Sequence, residues 1–142
     1  MLWNKKMKKI TEEQCLNLLK ERFPNFIPYW DSSVSCWETT EGMLAQMIPF
    51  SQYAEDVLKN NNIVEIKNIF DFVEFLLCGG NESVRNGIAT CFLEYLFNID
   101  AAGIKFTSFC QYLGKKSLDY CRVWDKLCGN RTEGLWPTSC KD

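Results

Sequence analysis

Apolar residues recur along this chain with a helical period, and almost nowhere do they alternate as a strand's would. Thr11 opens the first run. With Gln14 it has the form of a capping box, and Glu12 and Glu13 suit the positive end of a helix. Cys15, Leu16, Leu19 and Phe23 then make one stripe, which Pro24 stops. From Asn25 to Gly42 no period is sustained, and Pro28, Asp31-Ser32-Ser33 and Thr39-Thr40 read as a long connection with room for one short helix. A second helix either starts near Pro49, a residue suited to a first turn, or reaches back to Met43 with Pro49 as a kink. Both versions end near Asn60–Asn62.

The third helix carries Ile66, Ile69, Phe70, Val73 and Leu77 on one face, widened by Phe72 and Leu76, with Lys67, Asp71 and Glu74 opposite. Gly79-Gly80 is expected to end it in left-handed conformations. Asn81 or Ser83 caps a fourth helix that runs to about Asn98. That helix is apolar around most of its circumference, so it should be central. Gly114 and Gly129 read as the exits of two more helices. Phe106, Phe109, Cys110 and Leu113 share a face of the fifth. Tyr120, Cys121, Val123, Trp124, Leu127 and Cys128 share the inner face of the sixth, with Asp119, Arg122, Asp125 and Lys126 outside. After Arg131 the chain reads as irregular, pinned by Leu135 and Trp136. The pattern predicts an all-α fold: a single compact domain of about six helices in antiparallel pairs, a bundle or a short stack of helical hairpins. Residues 11–136 form the domain, 1–10 a flexible extension and 137–142 a tail. Met7, followed by two lysines, also reads as a start.

Charge sharpens this picture. The net charge is −2, but residues 1–22 sum to +3, residues 23–58 to −5, residues 59–104 to −3 and residues 105–142 to +3. The stretch from Phe23 to Leu58 has no lysine or arginine, five acids and seven aromatics. Such a segment repels nucleic acid and attracts a basic protein. The plainer alternative sends the aromatics to the core and the acids to solvent. No export signal and no span of roughly 20 apolar residues is present, so the expectation is a cytoplasmic chain off the membrane.

Composition excludes much chemistry. There is no histidine, which removes Ser-His and Cys-His nucleophiles and imidazole metal sites. The eight cysteines include no CxxC pair and read as reduced, buried thiols. The expectation is a non-enzyme without metal or cofactor. Asn86, Thr90 and Glu94, four residues apart, form a polar stripe on the fourth helix, either a secondary ligand or partner site or simply its solvent side. Arg85 is expected to snorkel outward or to pair with Asp71 or Glu74. Lys115-Lys116 puts positive charge at a helix start, where the dipole disfavours it, as an anion contact would or as a tolerated surface pair.

The segments FVEFLLCGGNESVRNGIATCFLEYL (72–96), YLGKKS (112–117), CRVWD (121–125) and TEGLW (132–136) together resemble a family of small, all-helical bacterial proteins. The family is mostly uncharacterised, and some members resemble immunity proteins of polymorphic or contact-dependent growth inhibition toxins. The resemblance covers residues 11–136 and is weakest over 25–62. Lys115 and Glu133 stand where the family tends to have proline, and no catalytic residue carries over. The resemblance implies an immunity protein that binds a cognate toxin domain, a nuclease among the candidates, and occludes its active site or substrate groove. Asp31, Trp37, Glu38, Glu41, Glu55 and Asp56 are the expected toxin-binding residues. The alternative is a non-catalytic helical adaptor or regulator unrelated to toxins.

Overall fold

In the computed structural model, residues 8–36 and 42–137 are described. Helix α1 (Glu12–Arg22) starts at the expected capping box: Gln14 N donates to Thr11 Oγ1 at 3.2 Å and Thr11 N to Gln14 Oε1 at 3.0 Å. A 3₁₀ turn (Pro24–Phe26) leads into α2 (Ile27–Val34), which fills the connection left open by the sequence. Helix α3 (Gly42–Lys59) is the longer of the two versions, with Pro49 inside it. Helix α4 (Ile63–Gly79) begins at an Asn62 cap. Helix α5 (Glu82–Gly87) begins at Asn81, whose side chain accepts from Val84 N at 2.9 Å. Helix α6 (Lys115–Leu127) follows two 3₁₀ turns, Phe106–Ser108 and Cys110–Tyr112. The result is an all-α domain of six helices with no sheet among the described residues.

The expected fourth helix is one helical path with three pitches. After α5 the backbone widens to a π-helix over Ile88–Leu93, then tightens to a 3₁₀ run over Tyr95–Ala102. Glu94 sits at the change: its N–H reaches back five residues to Ala89 O, and its carbonyl accepts from Phe97 N. As expected this path is central. Val84, Ile88, Phe92, Leu93 and Leu96 are buried, and it packs against α3, α4 and α6. Gly87 allows the approach, since a Cβ there would lie 2.3 Å from Met43 Cβ.

The aromatics form the core. Phe23, Phe26, Phe50, Tyr53 and Phe72 pack ring to ring, and Phe92 links them through Phe70 to Phe109 and Phe106. In the basic-free stretch Phe23, Phe26, Trp30, Phe50 and Tyr53 are buried and Tyr29 is half-buried. The plainer reading therefore holds for these rings.

Several expectations are corrected. Gly80 has φ −73°, so it is not left-handed; it is small because a Cβ would meet Val84 Cγ1 at 2.6 Å. Gly114 is the N-cap of α6 and not a helix exit, whereas Gly129, at φ 74°, is left-handed beyond the end of α6. Asp125 is fully buried, while Val123 and Leu127 are exposed (58% and 76%). The inner stripe of α6 is thus Ser117, Cys121 and Asp125, because residues 132–136 fold over it. Of the seven described cysteines only Cys15 and Cys121 are buried; burial pushes each thiol up to about 12. Ile10 is held on both sides, donating to Gly79 O and accepting from Asn81 N, each at 2.8 Å. No helix is long and apolar enough to cross a membrane among the described residues.

Candidate functional site

Four tyrosine–carboxylate pairs join distant parts of the chain. Tyr29 of α2 donates to Asp56 of α3 at 2.5 Å. Tyr53 of α3 donates to Glu65 of α4, Tyr95 of the 3₁₀ run to Glu55 of α3, and Tyr120 of α6 to Glu94. All four carboxylates are half-buried. Asp56 and Glu65 line one cleft of about 330 Å³ with Tyr29, Tyr53, Asn25 and Asn60. Glu94 and Tyr95 line another of about 400 Å³. Glu55, beside Asp56 in sequence and bonded to Tyr95, joins the two. The four acids are thus linked in the order Glu65–Asp56–Glu55–Glu94, by a shared cleft, by adjacency on α3 and by Tyr95, and are called the row below.

The local reasons are separable. Asn62 starts α4 and takes the N–H of Glu65, which places Glu65 in the first turn, where the dipole favours an acid. Glu55 and Asp56 lie near the end of α3, and Lys59 pairs with Glu55 at 3.2 Å. Glu94 sits where the π-helix gives way to the 3₁₀ run. The bond to Asp56 is the main reason that the Tyr29 phenol is pushed up to about 12. Burial, then Glu55, raises Tyr95 to about 12. Burial first, then the carboxylate partner, also raises Tyr53 and Tyr120. Near neutral pH each phenol therefore keeps its proton and acts as a hydrogen-bond donor.

This arrangement leaves the carboxylates with acceptor positions beyond the phenol bond. A carboxylate has about four acceptor positions, and one phenol fills one of them. Among the described residues, no three Cys, Asp or Glu side chains converge to hold a metal ion.

Two other carboxylates differ. Glu74 accepts from Lys116 N (2.8 Å), Ser117 N (3.0 Å) and Ser117 Oγ (2.9 Å) at the start of α6. It offsets the Lys115-Lys116 misplacement, so no outside anion is needed there, and its oxygens are committed to α6 rather than to Arg85. Asp125 accepts from Thr132 N, Thr132 Oγ1 and Trp136 Nε1 at 2.8, 2.7 and 2.8 Å. Burial alone would raise its carboxyl, but these donors and Arg131 outweigh burial and hold it below the usual carboxylate range.

Of the residues expected to bind a partner, Glu55 and Asp56 fall in the row. Asp31 is exposed on α2, and no described contact ties its carboxylate to the row. Trp37, Glu38 and Glu41 lie outside the described residues. In the polar stripe, Thr90 and Glu94 line the larger cleft; the Asn86 side chain is exposed, and its carbonyl accepts from Thr90 Oγ1 at 2.8 Å. Sequence reasoning missed Glu65 and all four tyrosine partners. Asn62-x-x-Glu65, a cap followed by an acid, was the one local signal for Glu65.

Residues 16–129 match a family described as a domain of unknown function, DUF7674. The chain belongs to the DUF7674 family. No curated protein and no solved structure matches it. This DUF7674 domain is thus a small all-helical domain whose matched span contains the whole carboxylate row and both clefts' acids.

Proposed function

We propose that this DUF7674 domain is a non-catalytic binding protein that receives the basic surface of a bacterial toxin domain and neutralises it as an immunity protein. The observation that carries this reading is the tyrosine-held row of four carboxylates, of which Glu55 is the one with a described ion pair, to Lys59. Fixing the rotamers of a free glutamate costs up to about 2 kcal/mol. Here the phenols have already restricted the acids, so less order is lost when a cation arrives. A nuclease toxin must hold phosphates on a basic surface, and a preorganised acidic row imitates that charge. The toxin as partner comes from the resemblance, and the row supports only the basic character of that partner.

The test is co-expression with the carboxy-terminal domain of the protein encoded immediately upstream, which this reading expects to be the toxin, followed by growth and co-purification. The wild-type chain should protect the cell and co-purify, and its association should slow as salt rises. Glu55→Lys, Asp56→Lys and Glu65→Lys together should abolish both. Unchanged protection by a folded triple variant would overturn the reading. The adaptor alternative is favoured by the exposed Val123 and Leu127 on α6. It predicts concentration-dependent self-association that Leu127→Ser removes.

A further inference from the structure

The geometry points to a specific use of the row's last acid: the cleft between residues 88–98 and α6 is an anchor pocket for an arginine side chain of a protein partner. Its acid is Glu94, which accepts from Tyr120 and keeps its remaining acceptor positions. Tyr95 and Trp124 supply ring surface. Thr90, Asn98 and Asn130 add hydroxyl and amide groups. No lysine or arginine lines the cleft. Asp125 also borders it, but it is fully buried and already accepts three hydrogen bonds, so Glu94 is the more available acid.

Guanidinium fits better than ammonium. It is planar, forks onto a carboxylate, stacks on aromatic faces and is weakly hydrated, so a half-open cleft is enough for it. An ammonium is a strongly hydrated point charge that loses more on entry. The volume, about 400 Å³, lies at the low end for small-ligand sites and suits one long side chain. Tyr95 joins the cleft to Glu55, so an arginine entering here would belong to the same surface that meets the acidic row. The inference rests on the partner-binding reading for what supplies the arginine. It does not rest on it for the chemistry of the cleft.

The test is an amide and indole NMR titration of the full chain with L-arginine amide and, in parallel, L-lysine amide. Saturable shifts should cluster at Thr90, Trp124 and Asn130, with arginine amide the tighter ligand. Glu94→Gln keeps an acceptor for Tyr120 and hence the fold, and it should weaken binding about tenfold. The proposal is overturned by absent or non-saturating shifts, by equal affinity for the two amides, or by an unaffected Glu94→Gln variant. If arginine amide fails while reversal of Glu55, Asp56 and Glu65 still abolishes toxin binding, only the pocket falls. If arginine amide binds while that reversal changes nothing, only the toxin-facing reading falls.

Discussion

Glu74 and Asp125, near the two ends of α6, each accept three hydrogen bonds, several of them from backbone N–H groups. Glu55, Asp56, Glu65 and Glu94 each accept one phenol; Glu55 also pairs with Lys59 and Glu65 accepts from Asn68 Nδ2 at 3.4 Å, while Asp56, Glu65 and Glu94 line clefts. The side chains are the same chemically. The number of donors the fold brings to each decides its role. Three donors turn a carboxylate into a joint, and removing it strands backbone groups. One phenol holds a carboxylate in place and leaves it free to bind.

The largest break in this contrast should be Asp125→Ala. It strands Thr132 N–H and the Trp136 indole, and should cost about 3 kcal/mol in urea unfolding. The loss is capped because residues 132–136 can detach and hydrate. Glu74→Ala removes a cap supplied from another helix and should cost about 2 kcal/mol by the same measurement. Gly114→Ala probes that cap from the other side. Its Cβ would lie 2.4 Å from Glu74 Oε1, and the overlap should cost about 1–2 kcal/mol. The smallest stability effect belongs to the row. Glu55→Gln with Asp56→Asn should change stability by less than about 1 kcal/mol while lowering the association rate with a basic partner.

Titration separates the two sets without mutation. Asp125 has a folded pKa below its unfolded value. Its contribution is present above that unfolded value, near 3.8, and is lost as pH falls through the lower, folded one. The Trp136 indole resonance should therefore collapse in the acid range, and Asp125→Asn should remove this pH dependence. The tyrosines run the other way. Raised phenol pKa values contribute stability that is fully present below about 10 and is lost toward 12 and beyond, so ultraviolet titration should show Tyr29 and Tyr95 ionising near 12. Tyr29→Phe should delete one late step.

The helices were legible because their signals are local. Thr11 with Gln14, and Asn81 before Glu82, announce starts within three residues, and the apolar stripes name Ile66, Ile69 and Phe70 as core. The joints were not legible because they are distant. Glu74 reaches an α6 that begins 41 positions later (115 − 74), and nothing near Asp125 marks it as inward until Thr132 and Trp136 fold back onto it. The tyrosine partners are likewise 12 to 40 positions from their acids. The change of pitch after Gly87 was hidden for another reason. With nearly every position from 88 to 93 apolar, a period of 3.6 and a wider one fit equally well.

That widened stretch also makes helix pitch a variable of the surface. In a regular helix one residue is worth about 100° of rotation. Six residues bonded five back turn through less than six residues of a regular helix, so letting 88–93 relax to an α-helix at unchanged length would turn everything beyond it. Glu94 would swing away from Tyr120, and Tyr95 from Glu55. The pitch of these six residues therefore acts as the dial that aims the carboxylate after them. A chain with the same acids and a regular α-helix of the same length there would present a different surface.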